Sequence, residues 1–360
     1  MTVAWHIDLL RRRVQEEIDR ELAHQGDVLA ELGPDVRPLV DAVASLMTGG
    51  KRLRAAFTHV GYLAAGGRDE ASAIRAATAM EFFQAAALLH DDVMDASDVR
   101  RGAPTAHVAL ADLHRRRAFT GDAQRFGEAG AILAGDLCLV WSEEVFATCG
   151  LPPAELARAR RCFDDMRSQL MAGQFLDVLD AARGWSGLDA AGRIEAARRV
   201  IRYKSARYSV QQPLLIGADA GGVDAHDRAA LARFGLDLGE AFQLRDDILG
   251  VFGDPSTTGK PAGDDLREGK RTVLVALTLG LADAAGAADL EAGLGADLSS
   301  ADVDRLRAII VDSGGLAALE DMIAERTRGA REALESTTRL RDGGVDALLE
   351  LADLSTVRAA

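Results

Sequence analysis

Lysine is almost missing from this chain: of 42 basic residues among 360, only Lys51, Lys204, Lys260 and Lys270 are lysines, which leaves 38 arginines. A chain so biased toward arginine keeps lysine where a compact, flexible ammonium meets an anion as a point charge. Aromatic residues are also few, at 5%, although 48% of the chain is apolar. Much of the apolar content is therefore small alanine, which suits close-packed helices better than strands. Cys138, Cys149 and Cys162 are odd in number and lack metal-ligand spacing. They exclude a disulfide framework, read as buried small hydrophobes, and fit a reducing, cytoplasmic location. Long apolar runs are absent too. Stretches such as Thr272 to Ala282 fall short of the roughly 18 residues that cross a bilayer, so no transmembrane segment is expected. The first residues meet Asp8 and then Arg11, Arg12 and Arg13 before any apolar run develops, so no signal peptide is expected. Acid exceeds base by 56 to 42, a formal charge of −14. That balance argues against gripping nucleic acid or an anionic membrane. Any anionic ligand must be met locally.

What is present is helical spacing. Apolar residues recur with a helical period in Ile74 to Leu89, and similar patterns cover Ala129 to Cys149, Pro153 to Leu179, Ala190 to Ala218, Ala225 to Phe252, Arg271 to Ala285 and Ala301 to Ser336. Breaks fall at Gly49-Gly50, Gly66-Gly67, Thr120 to Gly127, Gly184 to Gly187, Gly221-Gly222, Gly253 to Gly263, Gly293 to Ser300 and Gly343-Gly344. None is a long linker. The expectation is one all-α domain spanning residues 1–360.

Chemistry concentrates in three places. Asp91-Asp92-Val93-Met94-Asp95 follows the apolar run Ala85 to Leu89. On a helix Asp91 and Asp95 share a face one turn apart, where two carboxylates repel unless a divalent cation lies between them. Hard oxygen ligands point to Mg²⁺. Alone, such a run reads as a solvated acidic turn at the start of the next helix. Here Asp98, Arg100, Arg101 and Gly102 follow, setting two guanidinium groups about one to two turns beyond the carboxylates. Acids for a metal beside an arginine pair describe a site for a metal-complexed polyanion. The second place is Asp246-Asp247, followed by a loop that runs through Gly259-Lys260 and Asp264-Asp265 to Lys270-Arg271. The third is Gly49-Gly50-Lys51-Arg52-Leu53-Arg54, with Lys51 and Arg54 three apart on one expected helical face, a dock for an anion without a metal.

Taken together, the three resemble the trans-isoprenyl diphosphate synthases, the chain-elongating prenyltransferases of the farnesyl and geranylgeranyl diphosphate synthase type. The resemblance runs from about Gly49 to Thr272 in the family's order. It implies an all-α isoprenoid-synthase helical bundle with a central active-site cavity, acting as a homodimer. It implies that Asp91 and Asp95, with Asp92 beside them, hold two Mg²⁺ on an allylic diphosphate, and that Asp246, supported by Asp247, serves a third. Arg100, Lys204, Lys260 and Lys270 resemble the cations that clamp the allylic diphosphate; Lys51, Arg54, Arg101 and Gln84 resemble the isopentenyl diphosphate site. Ser205, Gln243 and the Lys204 carbonyl match polar groups facing the allylic carbocation, and Gln174 and Asp177 fall in the family's GQxxD pattern.

Two positions depart from the family. The second acidic motif ends in Gly250 where an Asp is usual, and position 84 is Gln where many bacterial members have His. Altered Mg²⁺ affinity, not lost activity, is expected from the first. Either side chain at 84 can donate a hydrogen bond to a diphosphate. The helix above Asp91 bears on product length. Ala86 and Ala87 are too small to stop a growing chain, whereas Phe83 lies about one 5.4 Å turn deeper. In the family such a floor suggests geranylgeranyl diphosphate, with farnesyl or longer products as alternatives. His90-Asp91 raises a phosphohydrolase reading, but His59 and His107 lie outside any supporting pattern. A terpene cyclase would leave Lys51, Arg54 and Gln84 without purpose, and a non-catalytic prenyltransferase subunit would not need the intact acids.

Overall fold

The computed structural model describes residues 7–253 and 263–356. Helices begin where short polar side chains satisfy the unpaired N–H groups of a first turn. Asp69, Asp122, Asp189, Asp224 and Asp283 each accept a backbone N–H, and Ser299 forms a reciprocal capping box with Asp302. The elements are α1 (Ile7–Ala30), α2 (Arg37–Leu46), α3 (Leu53–Ala64), α4 (Glu70–Met94), a two-stranded hairpin of β1 (Val99–Arg100) and β2 (Ala103–Pro104), α5 (Ala106–Arg116) and α6 (Ala123–Ala147). There follow α7 (Pro153–Arg183), α8 (Ala190–Val200), a π-helical stretch (Ile201–Gln211), α9 (Gln212–Gly221), α10 (Ala225–Phe252), α11 (Asp264–Arg267), α12 (Val273–Leu281), α13 (Ala284–Gly293), α14 (Ser300–Asp312), α15 (Gly315–Glu335) and α16 (Gly344–Thr356). The all-α expectation is met. Among the described residues, no helix is long and apolar enough to cross a membrane.

Backbone contacts divide the chain into two compact units, Met1–Ala159 with Gly217–Gly222, and Arg160–Ile216 with Val223–Ala360. In the first, α4 packs against α1, α3 and α6. Phe82 meets Trp141 edge to face at 6.2 Å, and the buried Ser142 hydroxyl donates to the Ala79 carbonyl at 2.8 Å. The arm before the motifs is part of this core. Helix α1 brings Glu17 and Glu21 onto the two Nη atoms of Arg75, at 2.7 and 3.0 Å.

In the second unit Leu244, Val273, Leu274, Leu306 and Leu319 form the centre of an apolar cluster. Buried Glu240 of α10 receives Arg198 at 2.9 Å, Arg202 at 3.3 Å and Arg326 at 3.3 Å. One carboxylate thus ties α8, the π-helical stretch and α15 to α10.

Three helices expected as continuous are interrupted. Arg271 to Ala285 breaks at Ala282, which is extended so that Asp283 can cap the next helix. Ala301 to Ser336 breaks at Gly314, whose φ is 85°. Ala190 to Ala218 contains the π-helical stretch. Periodicity persists across each change, so spacing alone does not reveal it.

His59 of α3 is buried, and its imidazole is pushed down to about 4, first by burial and then by the Arg13 charge. The unfolded chain therefore takes up a proton that the folded chain refuses as pH falls from 6.5 towards 4. The neutral ring's contribution to stability is lost across that window, on the order of 3 kcal/mol. Urea titrations at the two ends of the window should show the wild type losing that much more than His59→Leu. Equal losses would contradict the assignment.

Candidate active site

The first acidic motif closes α4. The Asp95 N–H still donates to the Asp91 carbonyl at 2.8 Å, and the helix then ends as Ser97 N–H reaches the Asp92 carbonyl at 3.0 Å with Ala96 at φ 50°. This is a Schellman ending with alanine in the place glycine prefers. Three carboxylates thus sit at the negative end of the helix dipole, where acids are disfavoured and cations are welcome. The motif is the last turn of its own helix, not the first turn of the next.

Asp92 is buried, and its Oδ1 accepts both Nε of Arg100, at 2.7 Å, and Nη2, at 2.6 Å. Burial raises the Asp92 carboxyl, with Arg100 opposing. Burial alone would lower the Arg100 guanidinium, but Asp92, Asp91 and Asp95 outweigh it and raise it. Arg100 Nη2 also stands 3.9 Å from Asp91 Oδ2. Asp91 and Asp95 remain half-buried, four apart on the last turn.

Arg100 and Arg101 do not ride on helical turns, as their spacing suggested. The hairpin pairs Val99 with Pro104 and Arg100 with Ala103, and Arg101 and Gly102 form its tip with φ of 53° and 76°. Two positive φ values match the twist of a tight hairpin, and a non-glycine residue there is strained. The turn sends adjacent arginines to different neighbours. Arg100 goes to the acids, whereas Arg101 Nη1 donates to the Leu46 carbonyl at 3.4 Å beside Gly50, whose Cβ position would lie 3.5 Å from the same guanidinium.

Near Gly50 the chain is turned by Arg52, at φ 52°, and α3 starts only at Leu53. Lys51 therefore precedes the helix and is exposed; it does not share a helical face with Arg54. Arg52 is buried, donating to Glu81 at 3.1 Å, to Gln15 at 2.6 Å and to the Met47 carbonyl. Glu81 in turn accepts the Ala55 N–H at 3.1 Å. Arg54 Nη1 donates to Gln84 Oε1 at 2.5 Å, so two expected ligands already touch. Partial burial of its head, then repulsion from Arg52 and Arg100 and, more weakly, Arg54, lowers the Arg101 guanidinium, with Glu81 opposing. An anion placed among guanidiniums that repel one another around one buried acid would relieve that repulsion. Sequence reasoning missed Arg52 and Glu81 as the frame of this cluster; an acid inside the apolar face of α4 was the available signal.

In the second unit, Lys204 and Ser205 lie on the π-helical stretch, a form frequent at functional sites. Helix α7 approaches it closely at Gly173, where a Cβ would come within 2.6 Å of the Tyr203 carbonyl carbon. One turn on, Asp177 Oδ2 meets Lys204 Nζ at 2.6 Å. Ser205 is buried and Gln174 half-buried. On α10, Gln243 donates to Asp247 Oδ1 at 3.0 Å. Asp247 is 4% exposed, and its Oδ2 has no hydrogen-bond partner among the described residues. Burial, then the neighbouring Asp265 and Asp246, drives its carboxyl well up, with Gln243 and Lys270 opposing. Asp246 is half-buried. Lys270 Nζ lies 2.5 Å from Glu268 and 3.5 Å from Asp265. Lys260 lies outside the described residues. Of the chain-length positions, Phe83 and Ala86 are buried and Ala87 half-buried.

An orphaned buried carboxylate oxygen and an all-oxygen donor set fit a hard divalent cation. Among the described residues, the acidic motifs do not bring three ligand atoms within 4.8 Å of one another; Glu21, His24 and Glu144 do, but Glu21 is already paired with Arg75 and Gln25. Acids without a closed cage suit Mg²⁺, which keeps waters and is completed by substrate phosphates.

The polyprenyl synthetase family model matches residues 37–310. The chain is 34% identical over 293 residues to a geranylfarnesyl diphosphate synthase of Aeropyrum pernix, covering 80% of this chain and 84% of that one. It is 33% identical over 270 residues to a (2E,6E)-farnesyl diphosphate synthase of Mycobacterium bovis, covering 74% and 68%. The crystal structure of a geranylgeranyl pyrophosphate synthase from Corynebacterium glutamicum, complexed with isoprenyl diphosphate and magnesium, superposes with a TM-score of 0.92 at 39% identity, covering 98% of this chain and all of that one. Its helices, its acidic motifs and these relatives agree: the chain belongs to the polyprenyl synthetase family and is a chain-elongating trans-prenyltransferase.

Proposed function

We propose that this enzyme joins isopentenyl diphosphate head to tail with an allylic diphosphate and that its main product is geranylgeranyl diphosphate. The observation that carries the two-substrate reading is the hairpin tip, which sends Arg100 to the acidic motif and Arg101 to the Gly50 cluster. Two anion docks of different kind, one acidic and metal-ready, one a guanidinium cluster around Glu81, would thereby lie side by side within one unit. An enzyme with a single diphosphate substrate needs only the first.

Asp91 and Asp95, and Asp246 with Asp247, would hold Mg²⁺, three ions with substrate bound. The metal, when bound, neutralises charge on the departing diphosphate. Arg100, Lys204, Lys270 and Lys260 meet the oxygens the metal leaves, as preorganised charges where negative charge develops. The C–O bond breaks with its electrons going to the diphosphate, leaving an allylic cation. Ser205, Gln243 and the Lys204 carbonyl turn oxygen toward that cation. Lys51, Arg54, Arg101 and Gln84 hold isopentenyl diphosphate so that its double bond forms the new C–C bond, and the proton lost is taken by the released diphosphate. Exclusion of water protects the cation from capture as an alcohol.

The product assignment rests on Phe83, buried one turn beyond the small Ala86 and Ala87. We keep residues 1–360 as a single catalytic domain, in line with the family model that spans residues 37–310. A homodimer is supported by Phe126, Leu133 and Val140, exposed seven apart along α6 as an apolar stripe. We place the enzyme in the cytoplasm, in keeping with three cysteines that form no disulfide among the described residues.

Purified protein incubated with Mg²⁺, labelled isopentenyl diphosphate and C5, C10 or C15 allylic diphosphates should yield chiefly a C20 product. Phe83→Ala should shift it to longer chains, and an unchanged distribution would remove Phe83 as the floor. In the same assay Asp91→Ala and Asp246→Ala should each lower turnover by about 10²- to 10³-fold; full activity in either would refute the metal assignment. Arg54→Gln should raise KM for isopentenyl diphosphate by about 10- to 100-fold and leave KM for the allylic substrate unchanged. Equal loss for both substrates would mean that the cluster does not discriminate them.

A further inference from the structure

The arginine run Arg11-Arg12-Arg13 precedes every motif and lies outside the matched residues 37–310, yet α1 gives each of its members a different surrounding. Arg12 is exposed. Arg13 pairs with Glu70 at the start of α4. Arg11 turns its Nη2 to the Gly50 carbonyl and donates to it at 3.1 Å, while its Nη1 stands 3.5 Å from Asp8. One turn along the same face of α1, Gln15 accepts Nη2 of Arg52 at 2.6 Å. Two side chains of α1 thus reach one turn of the chain, about 40 residues on.

That turn needs holding. Gly49, Gly50 and Arg52 have φ of 70°, 97° and 52°. Such left-handed backbone is strained at arginine, and at glycine it gives up the conformational freedom of the unfolded chain. Side chains from other elements fix it. Glu81 of α4 and Gln15 of α1 take Arg52, Arg11 takes the Gly50 carbonyl, and Arg101 lies 3.5 Å from the place of a Gly50 Cβ. Helix α1 is anchored without these bonds, because Leu10, Val14 and Ile18 are buried and Glu17 and Glu21 hold Arg75. Seating α1 therefore does not explain Arg11, which is half-buried.

We propose that Arg11 and Gln15 are positioning residues for isopentenyl diphosphate: α1 holds the turn at 49–52 in the backbone shape that presents Lys51, Arg54 and Arg101 to one anion. Both act through the turn and not on the substrate. Bonded to Arg11, the Gly50 carbonyl is also turned toward a cation, where a free carbonyl oxygen would repel a bound diphosphate. The first helix then belongs to the dock of the second substrate. This rests on the synthase reading, which places isopentenyl diphosphate at this cluster.

Hydrogen–deuterium exchange on the full chain reads the turn itself. Arg11→Ala and Gln15→Leu should each speed exchange of the amides of residues 49–53 by about 10-fold. Arg11→Lys, which keeps a donor, should restore the slower rate, and Arg12→Ala, which removes the same charge from an exposed position, should match the wild type. Steady-state kinetics reads the dock. In Arg11→Ala, KM for isopentenyl diphosphate should rise about 10-fold with kcat and KM for the allylic diphosphate unchanged, and Arg11→Lys should recover most of the loss. Wild-type exchange in Arg11→Ala or Gln15→Leu, a wild-type KM in Arg11→Ala, an equal effect of Arg12→Ala, or a loss shared by both substrates would each overturn the proposal. A wild type that elongates no prenyl chain sinks the synthase reading instead, and the exchange rates still decide whether α1 holds the turn.

Discussion

Like charges held close together are costly, and this chain gathers them wherever its motifs lie. Three acids share the negative end of α4, guanidiniums crowd around Gly50, and Asp247 is buried with acids beside it. The surrounding fold makes these arrangements affordable. The Arg52–Glu81 pair freezes the turn before α3, Arg100 compensates Asp92, and Glu240 binds three guanidiniums beneath the π-helical stretch.

The free enzyme is not equally ready for each component. The cationic dock is assembled, with Arg54 on Gln84 and Arg101 over Gly50. Among the described residues the acids, by contrast, form no closed cage, and Lys204 is engaged with Asp177. Such a site takes its metal together with the phosphates that finish the coordination shell. On the proposed function Lys204 would exchange one oxygen partner for another, a trade between similar energies that keeps an ammonium from being stranded in a half-buried place.

Much of this was legible in the sequence because it is local. A 3.6-residue period marks α4, α6, α7 and α10, and two aspartates four apart on a helix need only the helix to meet. The scarcity of lysine was informative for a similar reason: one residue type set against a uniform background shows where a point charge is wanted. What the sequence hid depends on residues far apart in the chain. Arg52 and Glu81 are separated by 29 positions, and nothing near either announces the other. The hairpin is only four paired residues, too short for a period, and its tip uses arginine where a turn signal would be glycine or asparagine. Gly250 read as a loss from its motif because the Asp265 carboxylate that fills its side-chain space arrives from another helix.

The π-helical stretch at Ile201–Gln211 carries a consequence for how such a chain can change. A wide turn of this kind holds one more residue than an α-turn between the same two ends. Deleting any single residue within it would let the backbone relax into ordinary α-geometry, and the helix would be none the worse. The residues between those ends would, however, be redistributed around the axis, so that Arg198 and Arg202 on Glu240 and Lys204 on Asp177 could not all keep their partners. Drift by insertion and deletion is thereby closed off along this one segment, even where substitutions are tolerated.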